Sequence, residues 1–172
     1  HDPSAAVQGI VQLMALSLRG VAGNTAADGA NVTVTHPGGI AQDDVVYVGY
    51  SIGRQVTDFN MQASTAGYTE FADLFADDNN GSHFGLYRKI MGVTPDSTVT
   101  LVGDGNSNHG ATAVESVWSG EDTTTPEDAT ITTATGVNGS IPNPPSIVTA
   151  TANAIVLIFG AKSSRCFSVR SF

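Results

Sequence analysis

Gly49-Tyr50-Ser51-Ile52-Gly53 spells G-x-S-x-G, the pattern that lifts a serine nucleophile onto a strained turn between a strand and a helix. The strand is present at 45–50, but Arg54-Gln55-Val56-Thr57-Asp58-Phe59 alternates like a second strand, so the helix is missing. The expected arrangement is therefore Gly49, Ser51 and Gly53 on one face of a strand, with Ser51 not a nucleophile. A second pattern, Asp104-Gly105-Asn106-Ser107-Asn108-His109-Gly110, offers oxygens at positions 1, 3 and 5, with Glu115 at position 12. That spacing belongs to a calcium loop, but the sixth position, where the loop needs glycine for its sharp turn, is His109. Asp, Asn and Gly are equally the residues of a hairpin turn, and the expectation is a turn with no bound metal. Asp73, Asp77 and Asp78 form a weaker acidic cluster, and the four histidines, His1, His36, His83 and His109, show neither H-x-H nor H-x-x-x-H spacing for zinc. N-x-S/T sequons stand at Asn31, Asn80 and Asn138, each beside or within a turn. No catalytic residue, cofactor site or metal site is expected.

The stretch SVWSGEDTTTPEDATITTATG (116–136) holds the single tryptophan, four acids and seven threonines. Alternation on the strand 112–119 puts Val114, Ser116 and Trp118 on one face and Ala113, Glu115 and Val117 on the other. Gly120 ends the strand. Asp122 and the threonines after it accept backbone N–H groups as Asx and Ser/Thr turns do. Pro126, which cannot donate to a ladder, fits a corner. A Thr-rich strand is expected to resume at 129–135. Acids around a proline corner without a basic partner are solvated turn residues rather than a catalytic pair.

These groups need elements to hold them, and the chain supplies strands. Turn signals such as Asp28-Gly29, Pro37-Gly38-Gly39, Asn79-Asn80-Gly81, Asp104-Gly105, Asn138-Gly139 and Asn143-Pro144-Pro145 recur every 8–15 residues. Between them lie short runs of period-two or continuous apolar character at 12–19, 31–35, 44–52, 68–75, 83–91, 97–102, 112–119, 129–135 and 154–160. This spacing predicts an all-β fold, a jelly-roll-like sandwich of two sheets in a single domain. Absence of βαβ alternation argues against a doubly wound sheet. Residues 7–18 fit an amphipathic helix (Val7, Ile10, Val11, Met14, Ala15, Leu18) or a strand with Met14, Leu16 and Leu18 inward; so short a run does not separate the two. The expected division is an N-terminal arm or first strand at 1–20, the sandwich at 21–161 and a basic tail or contact arm at 162–172.

The chain has 172 residues, 41% of them hydrophobic and 13% charged, and carries a formal net charge of −9. Mean hydropathy is near zero and the isoelectric point is about 4.5, as in a globular domain. Nucleic-acid binding draws on Lys and Arg that displace counterions from phosphate. Of the seven here, Lys162, Arg165 and Arg170 fall in the last eleven residues, so neither nucleic acid nor an anionic membrane surface is an expected partner. The lone Cys166 permits no intrachain disulfide, and no apolar run approaches the ~18 residues that span a bilayer.

Four stretches carry a resemblance: GYTEFADLFADDNN (67–80), LYRKIMGVTPDSTVTLVG (86–103), VWSGEDTTTPED (117–128) and PNPPSIVTATANAIVLIFGA (142–161). In this order they resemble a group of small β-sandwich proteins of tailed-bacteriophage virions, of head-decoration, cement or tail-fibre type. The resemblance spans about 44–161. It implies a jelly-roll-like sandwich on a virus particle; with the acidic charge, the expectation is a non-enzymatic capsid decoration or cement protein on the outer surface of the virion, a homotrimer whose partners are the major capsid protein or other virion proteins. The alternative within the same resemblance is a receptor- or glycan-binding module of a tail fibre, for which Tyr50, Tyr68, Tyr87 and Trp118 would supply stacking surfaces. A serine hydrolase acting through Ser51 is the third reading.

Overall fold

A computed structural model of the chain describes residues 15–53, 58–76, 81–106, 108–136, 143, 145–151, 154–160 and 168–171. Nine strands are formed and no helix among the described residues: β1 (Ser17–Ala26), β2 (Val32–Thr35), β3 (Val45–Gly53), β4 (Thr69–Ala76), β5 (Ser82–Ile90), β6 (Thr98–Leu101), β7 (Ala111–Ser119), β8 (Leu157–Gly160) and β9 (Ser168–Ser171). The main sheet has the order β1-β7-β3-β5-β4; β2 pairs with β6, and β8 with β9. Every ladder is antiparallel. The expected all-β sandwich is present. The strand order supports two packed antiparallel sheets and no finer name.

Alternation on β3 explains why the sheet has two covered faces. Val46, Val48, Tyr50 and Ile52 point into the main core, where Val32, Val34, Val99 and Leu101 from β2 and β6 meet them, with Met61, Tyr87, Met91, Ala113 and Val117. Val45 and Tyr47 point the other way, to Trp118, with Leu16, Phe71, Ile155, Leu157 and Phe159 packed around them. A strand covered on both sides reads as a near-continuous apolar run, which is how VVYVGYSI reads; all eight of these residues are buried. The small sheet gains a third edge from 62–64: Ala63 bridges Leu101, Ser64 N–H donates to the Thr100 carbonyl and Val102 N–H to that of Gln62. Trp118, expected in the interior, is 5% exposed.

Two expectations are corrected, a strand at 129–135 and an inward Leu18. The run 129–135 makes no ladder. Its threonines are mostly exposed, with Thr132 Oγ1 donating to the Pro145 carbonyl instead; lacking a row of apolar residues, the segment has nothing to bury against a neighbour. The expected division at residue 20 falls inside β1, a single ladder with β7 that begins at Ser17↔Ser119 and continues to Ala26↔Ala111. Leu18, expected inward in the strand reading, stays in register with Trp118 but is 47% exposed on the edge strand; Leu16 does pack inward. Similarly β9 lies within the expected tail and pairs with β8. Residues 1–14, including His1, and Cys166 lie outside the described residues.

Candidate functional site

A connected group of polar side chains lies at the β4–β5 end of the main core. His83 on β5 is fully buried. In the β4–β5 register Asp73 faces Gly85 and Phe75 faces His83, so Asp73 and His83 are diagonal neighbours on the same face, within side-chain reach. His83 Nε2 meets Asp73 Oδ1 in a short contact, and Nδ1 lies 2.9 Å from Asp58 Oδ1. The second contact is not aligned as a hydrogen bond, since Nδ1 has no hydrogen-bond partner; it is a contact of charge and proximity. Asn60 braces the group from the side: its amide donates to Glu70 Oε2 at 2.8 Å and Asp73 Oδ2 at 3.1 Å. The amide oxygen accepts from the Tyr50 hydroxyl at 2.6 Å, which in turn accepts from Met61 N–H. Burial pushes the Tyr50 phenol well up, so it stays a donor. Burial also raises the Glu70 carboxyl, with the nearby Asp73 charge adding to the effect, and Glu70 Oε1 is buried without a partner.

A second polar group borders the tryptophan. The segment after β7 turns at Asp122, whose carboxylate accepts from Thr124 N–H at 2.8 Å and Thr125 Oγ1 at 3.0 Å, the Asx turn expected there. Asp128 binds the Thr151 N–H and hydroxyl and the Ala150 N–H, tying 120–136 to 145–151. Between these segments and the sheet runs a cleft of about 1030 Å³ lined by Tyr47, Phe71, Trp118, Ile131, Ile155 and Phe159. Glu121 sits at its wall and accepts from the Tyr47 hydroxyl at 2.9 Å; Glu127 pairs with Arg88 beside it. Burial pushes the Glu121 carboxyl up to about 7, Glu127 adds to the rise, and the Tyr47 hydrogen bond and Arg88 oppose it. The folded protein thus holds this proton to a higher pH than the unfolded chain. Its stabilising effect is complete below the ordinary Glu range near 4.5 and is lost as pH rises through 7. Between pH 5 and 8 the wild-type melting temperature should fall relative to that of Glu121→Gln; parallel curves would contradict the assignment.

No family model matches the chain, and neither does any curated protein or solved structure. Ser51 is buried on β3, opposite Phe84 and Thr112. His83 faces Ile52, on the other side of the sheet, and His36 is bound to Glu115 in the main core. No described histidine shares the face of Ser51, and β3 continues straight through Gly53, so the serine is neither raised on a turn nor paired with a base.

The Asp104 loop is held by its own side chains. Asp104 Oδ1 accepts from Asn106 N–H and Asn106 Oδ1 from Asn108 N–H, both at 3.0 Å, while Asp104 Oδ2 binds His109 Nδ1. Glu115, the would-be twelfth ligand, is on β7 with both carboxylate oxygens 2.9 Å from His36 Nδ1. The loop docks on the turn after β1, where Gly29, at φ +65°, gives its N–H to the His109 carbonyl and accepts from Gly105 N–H. A side chain on Gly29 would collide with the Asn106 backbone at 2.1 Å. Asn31 is engaged too, accepting from Gly103 N–H across the fold; Asn80, Asn138, Asp77 and Asp78 lie outside the described residues.

The sequence grouped Asp73 with Asp77 and Asp78, which lie outside the described residues; the structure brings Asp73 to Asp58 and His83. Its partners Asp58 and His83 come from a loop and from the next strand, fifteen and ten positions away, so no short spacing displays the group. The only available signal was the diagonal relation of Asp73 and His83 across a β4–β5 hairpin.

Proposed function

We propose that the chain is a non-enzymatic structural subunit of a tailed-phage virion, a capsid decoration protein that joins neighbours on the outer surface of the particle. One observation carries the reading: the two edges of the main sheet are treated differently. Edge strands expose unpaired N–H and C=O groups, and proteins that stay monomeric guard them with charges, prolines or bulges. The β4 edge carries Glu70, Asp73 and a bulge between Glu70 and Ala72. The β1 edge is ten residues, SLRGVAGNTA, without proline. Its one charge, Arg19, is drawn to Asp44, and its bulge sits near the strand's beginning. Leu18 and Val21, 47% and 62% exposed, border an apolar groove formed with Ala22, Val114, Trp118 and Leu157. A strand or apolar ridge from a neighbouring subunit fits such an edge by β-addition.

The acidic exterior supports an outward rather than a DNA-facing position. The resemblance of the four stretches to virion sandwiches supports the context, and symmetric virion sites suit a homotrimer contacting the major capsid protein. The tail-fibre glycan reading has less behind it, because Tyr50, Tyr87 and Trp118 are 0%, 3% and 5% exposed and Tyr68 is turned to His36. The reading is tested by sedimentation. Wild type is expected at three times the 17.7 kDa chain mass, and Val21→Lys at the monomer mass with an unchanged melting temperature. A wild type that stays monomeric at every concentration, or a variant that associates equally well, would remove the β1 interface.

A further inference from the structure

We propose that Asp58, Asp73 and His83 form a binding site for a divalent cation of the zinc class. His83 Nδ1 and the Asp58 carboxylate are the protein ligands, and Asp73 orients the imidazole. Among the described residues these three are the group whose donor atoms gather closely enough, all within 4.8 Å of one another. Ligand atoms around an ion with bonds of about 2.1 Å stand roughly 3.0–4.2 Å apart. The 2.9 Å between Nδ1 and Asp58 Oδ1 stands just under that range, and a turn of the exposed Asp58 side chain would open the pair to admit the ion.

The decisive feature is His83 itself. Its side chain has no exposed surface, and Nδ1 has no hydrogen-bond partner although a carboxylate oxygen stands beside it. A buried polar atom without a partner is costly; an ion shared by Nδ1 and Asp58 removes that cost. The other ring nitrogen is held by Asp73, and Asn60 holds the second Asp73 oxygen. A carboxylate behind a ligating imidazole fixes its tautomer and raises its basicity, and is the usual outer shell of such a site.

Charge points the same way. Asp58, Asp73 and Glu70 surround one imidazole, and none of them forms an ion pair with a described Lys or Arg. One nitrogen with carboxylates suits zinc and its neighbours, whereas calcium takes oxygen ligands. Asp58 is 62% exposed, so an ion can enter from solvent and the remaining positions can be filled by water. The bound ion would fasten the segment between β3 and β4 to the β4–β5 edge.

Calorimetric titration of the full chain with zinc chloride, repeated with calcium chloride, tests the site. The expected result is one saturable zinc site, with calcium binding at least about tenfold weaker. Asp58→Asn and His83→Gln should abolish zinc binding, and Asp73→Asn should weaken it about 10–100-fold, the usual effect of losing an outer-shell partner. His109→Gln, which alters the other described His–Asp pair, should bind as wild type does. Because Asp58 is exposed, its variant keeps the fold even if His83→Gln does not. No saturable zinc binding below millimolar concentration, calcium binding as tight as zinc, or an Asp58→Asn variant that binds like wild type would each overturn the proposal.

Discussion

Replacing His36 with alanine should lower the free energy of unfolding by about 3–5 kcal/mol, the usual cost of leaving a buried carboxylate without its partner. His36 and Glu115 have side-chain exposures of 1% and 0%, with Nδ1 2.9 Å from the carboxylate. The Tyr68 hydroxyl lies 3.1 Å from Nε2. Truncating His36 leaves Glu115 in the main core among Val46, Val48 and Val117 with no described partner for its carboxylate. Domains of this kind have total stabilities of roughly 5–15 kcal/mol, so the loss is a large share. The attraction of the pair is not the reason for the size of the effect; the stranded carboxylate is. Changing both residues together, as His36→Leu with Glu115→Leu, should therefore recover most of the loss. Urea unfolding measures all three proteins. A single-variant loss under 1 kcal/mol would show that water reaches Glu115 between the two sheets.

Gly85→Ala should cost about 3 kcal/mol or more, although it adds a single methyl group. Gly85 faces Tyr50 across the β3–β5 ladder, and the ring lies over it: a Cβ there would stand 2.2 Å from Tyr50 Cε1 and 2.6 Å from Cζ. Tyr50 has no exposed surface and stacks between His83 and Tyr87, with centroids 5.8 and 6.2 Å away, so it has no room to tilt. Overpacking a filled core costs about 1–3 kcal/mol. Displacing the hydroxyl from Asn60 and Met61 N–H adds about 1 kcal/mol for each bond. Combining Gly85→Ala with Tyr50→Val, which removes the ring, should cost clearly less than the sum of the two single changes, since residues in contact are not additive. Additive losses would show that the ring does not need the glycine.

Seven of the nine strands could be placed from the sequence because their local signal and their tertiary role agree. Val32–Thr35 and Thr98–Leu101 alternate and bury one face, and the strand Val45–Gly53 reads apolar throughout because both its faces are covered. The failures share one cause. The threonines of 129–135 have β propensity, but propensity in a strand is mostly a matter of packing neighbours, and this segment has few. The start of β1 was obscured because its residues are exposed at an edge, where no apolar row marks inside from outside. The candidate ion site was hidden for a different reason: Asp58, Asp73 and His83 meet only after β4 and β5 pair and the intervening loop folds back, and periodicity carries no information about that. By contrast the roles of Asp104 and Asp122 were legible, because an Asx turn is completed within three residues.

The central claim is that this sandwich is a repeated structural subunit joined to its neighbours through β1. Electron cryomicroscopy of an intact particle that carries the chain tests it most directly. The account predicts copies of the sandwich on the outer surface at symmetric positions, each with its 17–26 edge against density from an adjoining subunit and the β4 edge facing solvent. Copies enclosed within the particle, or an outer sandwich whose β1 edge is bare to solvent, would contradict it.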